Sequence, residues 1–578
     1  MDGNGIGFYK GMDVSSLPQC LDEGMVLRDF DGTVMEPFGL MRKYGVNSIR
    51  LRIWKKPENV PESGGYCNFR HTLEMAKKIK AQGMHFLLDF HYSDFWADPA
   101  NQKKPEDWEG LDFSQLEQAV YDYTQETLSA LKAEGCLPDV VQIGNEIRSG
   151  MLFPDGELPD YAQMVRLVNA GIRGARAVAD KGEMQVMIHL DQGGRYFYLK
   201  EWFSNAIENG LEDFDLMGLS YYPFWHGGFP DLKETLERLV KDYRKPVMIV
   251  ETAYAWRRSR KGFIDETQER IAGLPATPEG QAEELELVMN IVASLPDGMG
   301  LGVYYWEPLC VPGGDQGGWT ENMGLLDENG KVMEGIRNFG FTRERLHGGD
   351  YAKVYAPAPV TVQPGQEFRL PEELGILCYD GSVWKERVVW EDIPAGGIWQ
   401  AGEYRVKGRV EGIRDSVTAV VKAEEKIWGE MNLLRDANWE EGMAQWDTEG
   451  GGEQVVAQIY PEFQDPFPAP PLNALRVEGK KNFSFSIRQE VVLPAPGHYC
   501  LTVEFRGADT TNVDIRLFAQ YGEERKETVI HPAEHGWTEY GIEDIACEKG
   551  SLTVGISIQS PPNYGMMRKF RLVRSSGL

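Results

Sequence analysis

A chain of 578 residues exceeds what one core organises, so about two to four domains are expected. With 42% apolar and 11% aromatic residues it reads as globular, and no apolar run approaches the roughly 20 residues that cross a bilayer. Lys and Arg number 60 against 89 Asp and Glu, and a net charge of −29 repels phosphate backbones, so nucleic acid is not an expected partner. The opening Met1-Asp-Gly-Asn-Gly-Ile-Gly7 has neither the basic region nor the apolar core of a signal peptide. Seven scattered cysteines, odd in number and without CxxC spacing, read as buried free thiols, with Cys500–Cys547 the one pairing to consider.

From the start to about residue 340, short apolar runs alternate with helical patterns. The runs expected as strands are Phe8–Asp13, Ser48–Trp54, His85–Phe90, Val140–Asn145, Met184–Leu190, Leu216–Ser220, Val247–Glu251 and Gly302–Trp306. Between them, apolar residues three and four apart, as in Leu116, Val120, Tyr123, Thr127 and Leu131, put one apolar stripe on each helix. Repeated strand–helix units argue for an α/β fold closed into a (β/α)8 TIM barrel. No GxGxxG or Walker motif follows any strand, which counts against a doubly wound sheet.

The ends of these strands are rich in groups that hold a sugar. In Ser48-Ile-Arg-Leu-Arg-Ile-Trp54, alternation puts Arg50, Arg52 and Trp54 on one face. The third unit closes with His91, Asp94 and Trp96, the fifth with His189 and Asp191, the sixth with Tyr222 and Trp225, and the eighth with Trp306 and Glu307. Aromatic faces stack on the C–H face of a pyranose, while Asp, Asn, His and Arg take its hydroxyls. For any one residue a structural reading stays open: arginines pair with buried carboxylates, and His91 suits a hydrogen-bonded core position. Convergence on one end of one barrel is what favours binding.

Two glutamates stand out. Val140-Val-Gln-Ile-Gly-Asn-Glu-Ile147 ends strand four at Asn145 and Glu146, and Val247-Met-Ile-Val-Glu251 ends strand seven. Barrel chemistry sits at the C-terminal strand ends. Retaining glycoside hydrolysis wants two carboxyls roughly 5–5.5 Å apart, one attacking the anomeric carbon and one protonating the leaving oxygen. Their repulsion raises one pKa, so that one stays protonated as the acid. Asn145 suits the sugar 2-hydroxyl. Spacing alone leaves open that Glu251 caps a helix or pairs with Arg50 as a structural salt bridge. Asp89 with Glu307 is the weaker alternative, because Glu307 is expected at the lip. A metal site from His91, Asp94 and His189 lacks any HExxH-like spacing.

After Glu334 the pattern turns to β. Ala356-Pro-Ala-Pro359 is a stiff joint, short alternating strands run from Val360 to about Lys422, and charged residues at Lys422–Lys426 mark the next seam. The remainder alternates again, as in Gly497–Phe505 and Leu552–Ile558. The expected organisation is therefore a barrel over 1–350, a small β-sandwich over 351–425 and a second β-sandwich over 426–578.

Several motifs together resemble glycoside hydrolase family 53, the endo-β-1,4-galactanases. They are Gly11–Ser15, Val46–Trp54, Leu88–Pro99, Val141–Ile147, Gly150–Gly156, Gly218–Gly227 and Val250–Tyr254, covering about residues 7 to 340. The resemblance implies a retaining (β/α)8 enzyme that cleaves inside β-1,4-galactan, the side chain of type I arabinogalactan in pectin, with Glu146 as acid/base and Glu251 as nucleophile. It implies no cofactor for catalysis, a monomer, and an extracellular or cell-surface location, where a polymer too large to cross a membrane is met. Some bacterial members bind calcium in the loop after strand seven, but here that loop reads Trp256-Arg-Arg-Ser-Arg-Lys-Gly-Phe263, and that ion is not expected. Residues 358–423 resemble a bacterial Ig-like module. Asn432 to Ile558 resembles the jelly-roll carbohydrate-binding modules, family 61 among them, which implies a galactan ligand and leaves room for structural calcium. In that module Trp439, Trp446, Trp537 and Tyr564 are aromatic candidates for stacking, each better suited to core. The rival readings are a barrel hydrolase of another β-1,4-polymer, such as mannan or cellulose, and a non-catalytic polysaccharide-binding protein.

Overall fold

The structure, a computed structural model, describes residues 7–575 apart from 260–262, 265, 311–317, 358, 363–367, 392–397, 399, 401, 415, 424–431, 438, 440–442, 451–454, 463–471, 480, 508–512, 532–536, 549 and 562. Eight parallel strands close into a barrel: β1 (Tyr9–Asp13), β2 (Ser48–Ile53), β3 (His85–Phe90), β4 (Val140–Ile143), β5 (Gln185–Leu190), β6 (Leu216–Ser220), β7 (Val247–Thr252) and β8 (Gly300–Trp306). Each lies within about two residues of its expected run. β8 pairs with β1, Tyr9 opposite Gly302, to complete the ring.

The helices that cover the barrel are α1 (Pro37–Tyr44), α2 (Phe69–Ala81), α3 (Phe113–Ala133), α4 (Tyr161–Arg176), α5 (Tyr196–Glu208), α6 (Phe229–Tyr243) and α7 (Pro278–Ala293). Their starts are chemically marked. The Asp112 side chain accepts from the Gln115 N–H at 2.9 Å while the Gln115 side chain accepts from the Asp112 N–H at 3.0 Å, a capping box at the head of α3. The buried face of α3 is Leu116, Val120, Thr124, Thr127, Leu128 and Leu131, the helical stripe expected of a sheet-covering helix.

Inside the barrel, Tyr9, Leu87, Val140, Met187, Leu216, Met248, Val250 and Tyr304 form the apolar floor. Large and small residues share a layer. A Cβ on Gly11 would lie 2.0 Å from the Tyr304 ring, so only glycine lets the Tyr304 ring lie over β1 there. The Tyr304 hydroxyl reaches the Ser48 hydroxyl at 2.6 Å.

The chain divides into two compact units, residues 1–355 with 375–386, and residues 356–374 with 387–578. The first unit therefore extends past the expected end at residue 350. Tyr351–Val354 pairs antiparallel with the Ile376–Cys378 stretch, Lys353 pairs with Glu283 of α7 at 3.1 Å, and Tyr379 stacks on His347 at 4.4 Å. In the second unit, Gly402–Val410 pairs antiparallel with Ser416–Ala423, and Val360–Val362 pairs parallel with Val421–Ala423. The C-terminal region is a sandwich of two five-stranded sheets with one apolar core. Trp439 and Trp446 belong to that core, their rings tilted 35° with centres 5.0 Å apart, and are not platforms. Trp537 lies under the Arg568 and Arg506 guanidinium groups, 4.1 and 5.1 Å from its ring centre. The Tyr564 side chain lies outside the described residues. All seven cysteines are free and buried, so Cys500 and Cys547 are unbridged.

Candidate active site

The top layer of the barrel is polar. Alternation along β1, β2, β3 and β4 turns Asp13, Arg50, Asp89 and Gln142 inward, and all four are essentially inaccessible to water. Arg50 is the hub. Its Nη1 meets Asp13 at 2.8 Å and Glu251 at 2.9 Å, its Nη2 meets Asp89 at 2.8 Å and Asn145 at 2.9 Å, and its Nε donates to Gln142 at 3.3 Å. A guanidinium carries five N–H donors in a planar fork, and here every nitrogen is engaged.

Glu251 reaches this hub because β7 is bulged. Met248 and Val250 face the barrel floor, so strict alternation would send Glu251 outward. Between Leu219 and Ser220 of β6, however, the partner advances from Ile249 to Glu251, and between Val303 and Tyr305 of β8 it advances from Ile249 to Thr252. The extra residue re-aims the carboxyl toward the mouth. There Oε1 meets Arg50 and Oε2 accepts from the Tyr222 hydroxyl at 3.2 Å. Burial raises the Glu251 pKa, Arg50 opposes the rise, and Asp13 and Asp89 add to it, for a value of about 7.

Glu146 follows Gly144 and Asn145 at the end of β4, with φ of 47° in the left-handed region. Such a conformation in a non-glycine residue is typical of functional turns. Burial raises its pKa well above the carboxylate range, and the charge of Glu251 comes next, followed by that of Asp191. The charge of Glu251 is thus felt at Glu146, and the two carboxyls compete for ionisation. Of the two, Glu146 is raised further, while Arg50 draws Glu251 back toward ionisation.

The neighbours orient both. His189 is pushed well below its ordinary value by burial and by the Arg50 charge, so it is a neutral ring. It meets Ser220 through Nε2 at 2.9 Å and Asn145 through Nδ1 at 3.0 Å. Asn145 donates to the Ala97 carbonyl at 2.8 Å, which fixes its amide. His91 contacts Asp89 through Nε2 at 3.1 Å and accepts from the Ala97 N–H at 3.0 Å. Burial alone would raise Asp89, yet Arg50 and His91 hold it below the ordinary value.

The other expected residues divide. Asp94 spends one oxygen on the Lys56 N–H and the other on the Glu106 N–H, both at 2.9 Å, which pins the loop after β3. Asp191 accepts from Arg148 Nε at 2.8 and 3.0 Å. The expectation that Glu307 lies on the lip is corrected: it is 4% exposed, accepts from Ser16 Oγ at 2.8 Å and pairs with Arg52 at 2.5 Å, because a φ of 47° turns it inward. With Asp89 and Glu307 both committed to arginines, that alternative pair has no free carboxyl. Arg52 lies 4.1 Å from the Trp96 ring centre. From Trp96 a chain of rings runs through Trp306 (5.8 Å), Trp319 (4.6 Å), Phe263 (5.2 Å) and Trp225 (5.5 Å). Trp225 is 41% exposed, so its face is open to a ligand. Phe263 and Trp319 were not expected here. Neither lies on a barrel strand, so no periodicity marks them.

The loop after β7 is held by ion pairs: Arg257 with Glu328 and with Glu321, and Arg258 with Glu269. Among the described residues, no group of three or more His, Cys, Asp or Glu is placed to hold a metal ion.

A closed parallel barrel with paired carboxyls and an aromatic wall at the C-terminal mouth has the architecture of a glycoside hydrolase. The sequence model of Glycosyl hydrolase family 53 matches residues 9–339, more than half of the chain, and the chain belongs to that family. A second model, Bacterial Ig-like domain (group 4), matches residues 356–413. An arabinogalactan endo-beta-1,4-galactanase of Thermothelomyces thermophilus is 32% identical over 57% of this chain and 98% of its own length. An endo-beta-1,4-galactanase of Bacillus subtilis is 34% identical over 57% of this chain and 76% of its own. Among solved structures, the Ignisphaera aggregans GH53 catalytic domain is 33% identical with a TM-score of 0.54, covering 58% of this chain and 96% of that one.

Proposed function

We propose that this chain cleaves internal β-1,4-galactosidic bonds of galactan by a retaining double displacement. Glu251 attacks the anomeric carbon while Glu146 gives its proton to the leaving oxygen; Glu146 then takes a proton from the water that releases the glycosyl group. Neither step needs a cofactor. The observation that carries the reading is the unequal pair: Arg50 and Tyr222 each hold one oxygen of Glu251, while Glu146, without such a cation among the described residues, is raised further by burial and by the charge of Glu251. Asn145 then offers its amide to the 2-hydroxyl, and Trp225, Trp306 and Trp96 supply stacking faces along the chain. The names of the relatives support galactan over mannan or cellulose.

The barrel acts with an Ig-like spacer and a C-terminal sandwich that grips the same polymer, raising its local concentration by avidity. Such an enzyme meets its polymer outside the cell. Potato-type galactan is the test substrate, with mannan beside it and products followed over time. Mixed long oligosaccharides at early times are expected from galactan alone; galactose released singly, or equal attack on mannan, overturns the specificity. Glu251→Gly with azide should give α-galactosyl azide, and Glu146→Ala with azide the β-anomer. The opposite pairing of anomer and variant would reverse the two roles.

A further inference from the structure

Cys20 and Cys310 are 290 positions apart in sequence, yet their sulfur atoms lie 3.7 Å from each other in a buried S–H···S contact. Cys20 follows β1 and Cys310 follows β8, the strands that close the barrel. A disulfide requires the sulfurs at about 2.05 Å, a gap that side-chain rotation can close when the backbones already place the thiols face to face. A third thiol, Cys67, points elsewhere, to the Ser15 carbonyl at 3.7 Å. We propose that Cys20 and Cys310 are a disulfide site, closed under oxidising conditions to tie the two ends of the barrel together.

The chemistry is thiol–disulfide exchange with a low-molecular-weight disulfide such as glutathione disulfide. One thiolate attacks the oxidant and displaces one glutathione; the second thiol attacks the mixed disulfide and displaces the other. Two electrons pass to the oxidant, and each cysteine loses one proton. The contact with Cys20, and then burial, push the Cys310 thiol well above its ordinary value, so the folded, reduced pair reacts slowly and closure belongs to folding or to transient opening. Cys310 now points its S–H at Glu307 Oε2, 3.8 Å away. Losing that weak contact leaves Glu307 with Ser16 and Arg52, so the mouth of the barrel is retained.

The bond would close a loop spanning most of the barrel, which restricts the unfolded chain strongly. The test uses the full chain exported to an oxidising compartment, compared with the same chain made under reducing conditions. Thiols are titrated in denaturant, and blocked peptides are mapped by mass spectrometry. Five free thiols, a cross-linked Cys20–Cys310 peptide, a barrel Tm roughly 5–10 °C higher than in reductant, and unchanged galactan hydrolysis are expected. The Cys20→Ser, Cys310→Ser double variant should show the same Tm with and without reductant. Seven free thiols in the exported chain, or a cross-link between other cysteines, overturns the assignment.

Discussion

Arg50 is the residue on which both the fold of the barrel mouth and the state of Glu251 depend, and Arg50→Met separates the two effects. The side chain is 1% exposed and faces Asp13, Asp89 and Glu251. Removing one partner of a buried ion pair typically costs about 3–5 kcal/mol, since the remaining charge is left uncompensated. At about 2–4 °C per kcal/mol, the barrel transition should fall by roughly 6–20 °C. The catalytic effect has its own sign. Arg50 is the principal influence holding Glu251 down against burial, so its loss raises the Glu251 pKa further. Attack needs the ionised carboxylate, so the acid limb of kcat/KM moves to higher pH. At 2.9 Å and an effective dielectric of about 20, the attraction is about 6 kcal/mol before dehydration is subtracted, so a net move of about one to two pH units is a conservative expectation. Calorimetry gives the first quantity and a pH series on galactan the second. An unmoved acid limb in a folded variant would refute the role given to Arg50.

Other expectations follow the same reasoning. Asp191 is the third influence raising Glu146, after burial and Glu251, so Asp191→Asn should lower the Glu146 pKa and move the alkaline limb of the kcat/KM profile to lower pH; a move upward would contradict it. Glu284 is buried and bonded to Thr252 at 2.6 Å, and burial raises it from 4.5 to about 8. A raised carboxyl stabilises fully below 4.5 and loses that contribution as pH climbs to about 8, so Glu284→Gln should flatten the fall in Tm between pH 5 and pH 8. Trp225→Ala should leave Tm within a degree or so and raise KM about tenfold, the equivalent of about 1.4 kcal/mol from roughly 55 Å2 of lost stacking surface; an unchanged KM would place the polymer elsewhere.

The eight strands were legible because parallel barrel strands are buried on both faces and read as near-continuous apolar runs. Apolar spacing also placed most of the stripe of α3, although Thr124 and Leu128, not Tyr123, complete its buried face. Loop residues were not legible in this way. Phe263 and Trp319 complete the aromatic wall from segments with no periodicity, and only ring distances of 5.2 and 4.6 Å reveal them. The unit boundary was missed for a related reason. Residues 375–386 look like any alternating β segment, and their place beside the barrel depends on long-range contacts such as Lys233 with Asp380 at 3.4 Å.

The carboxyls show where strand patterning stops. Alternation carries Asp13, Arg50, Asp89 and Gln142 to the barrel axis, one residue per strand, and that much follows from a period of two. The same rule applied to β7 would point Glu251 at the helices, and applied past β8 would put Glu307 on the rim. A bulge reverses the first and a left-handed φ reverses the second. Both departures bring a carboxylate to an arginine, Glu251 to Arg50 and Glu307 to Arg52. The arginines on β2 therefore decide what each carboxyl becomes. Arg52 also has the Trp96 ring against it, and Glu307 is further occupied by Ser16, which leaves no open side for a ligand. Arg50 grips only one oxygen of Glu251, and the other meets Tyr222 at the mouth, beside a second carboxyl that competes for the same proton. One strand thus supplies a closed ion pair for structure and an open one for chemistry.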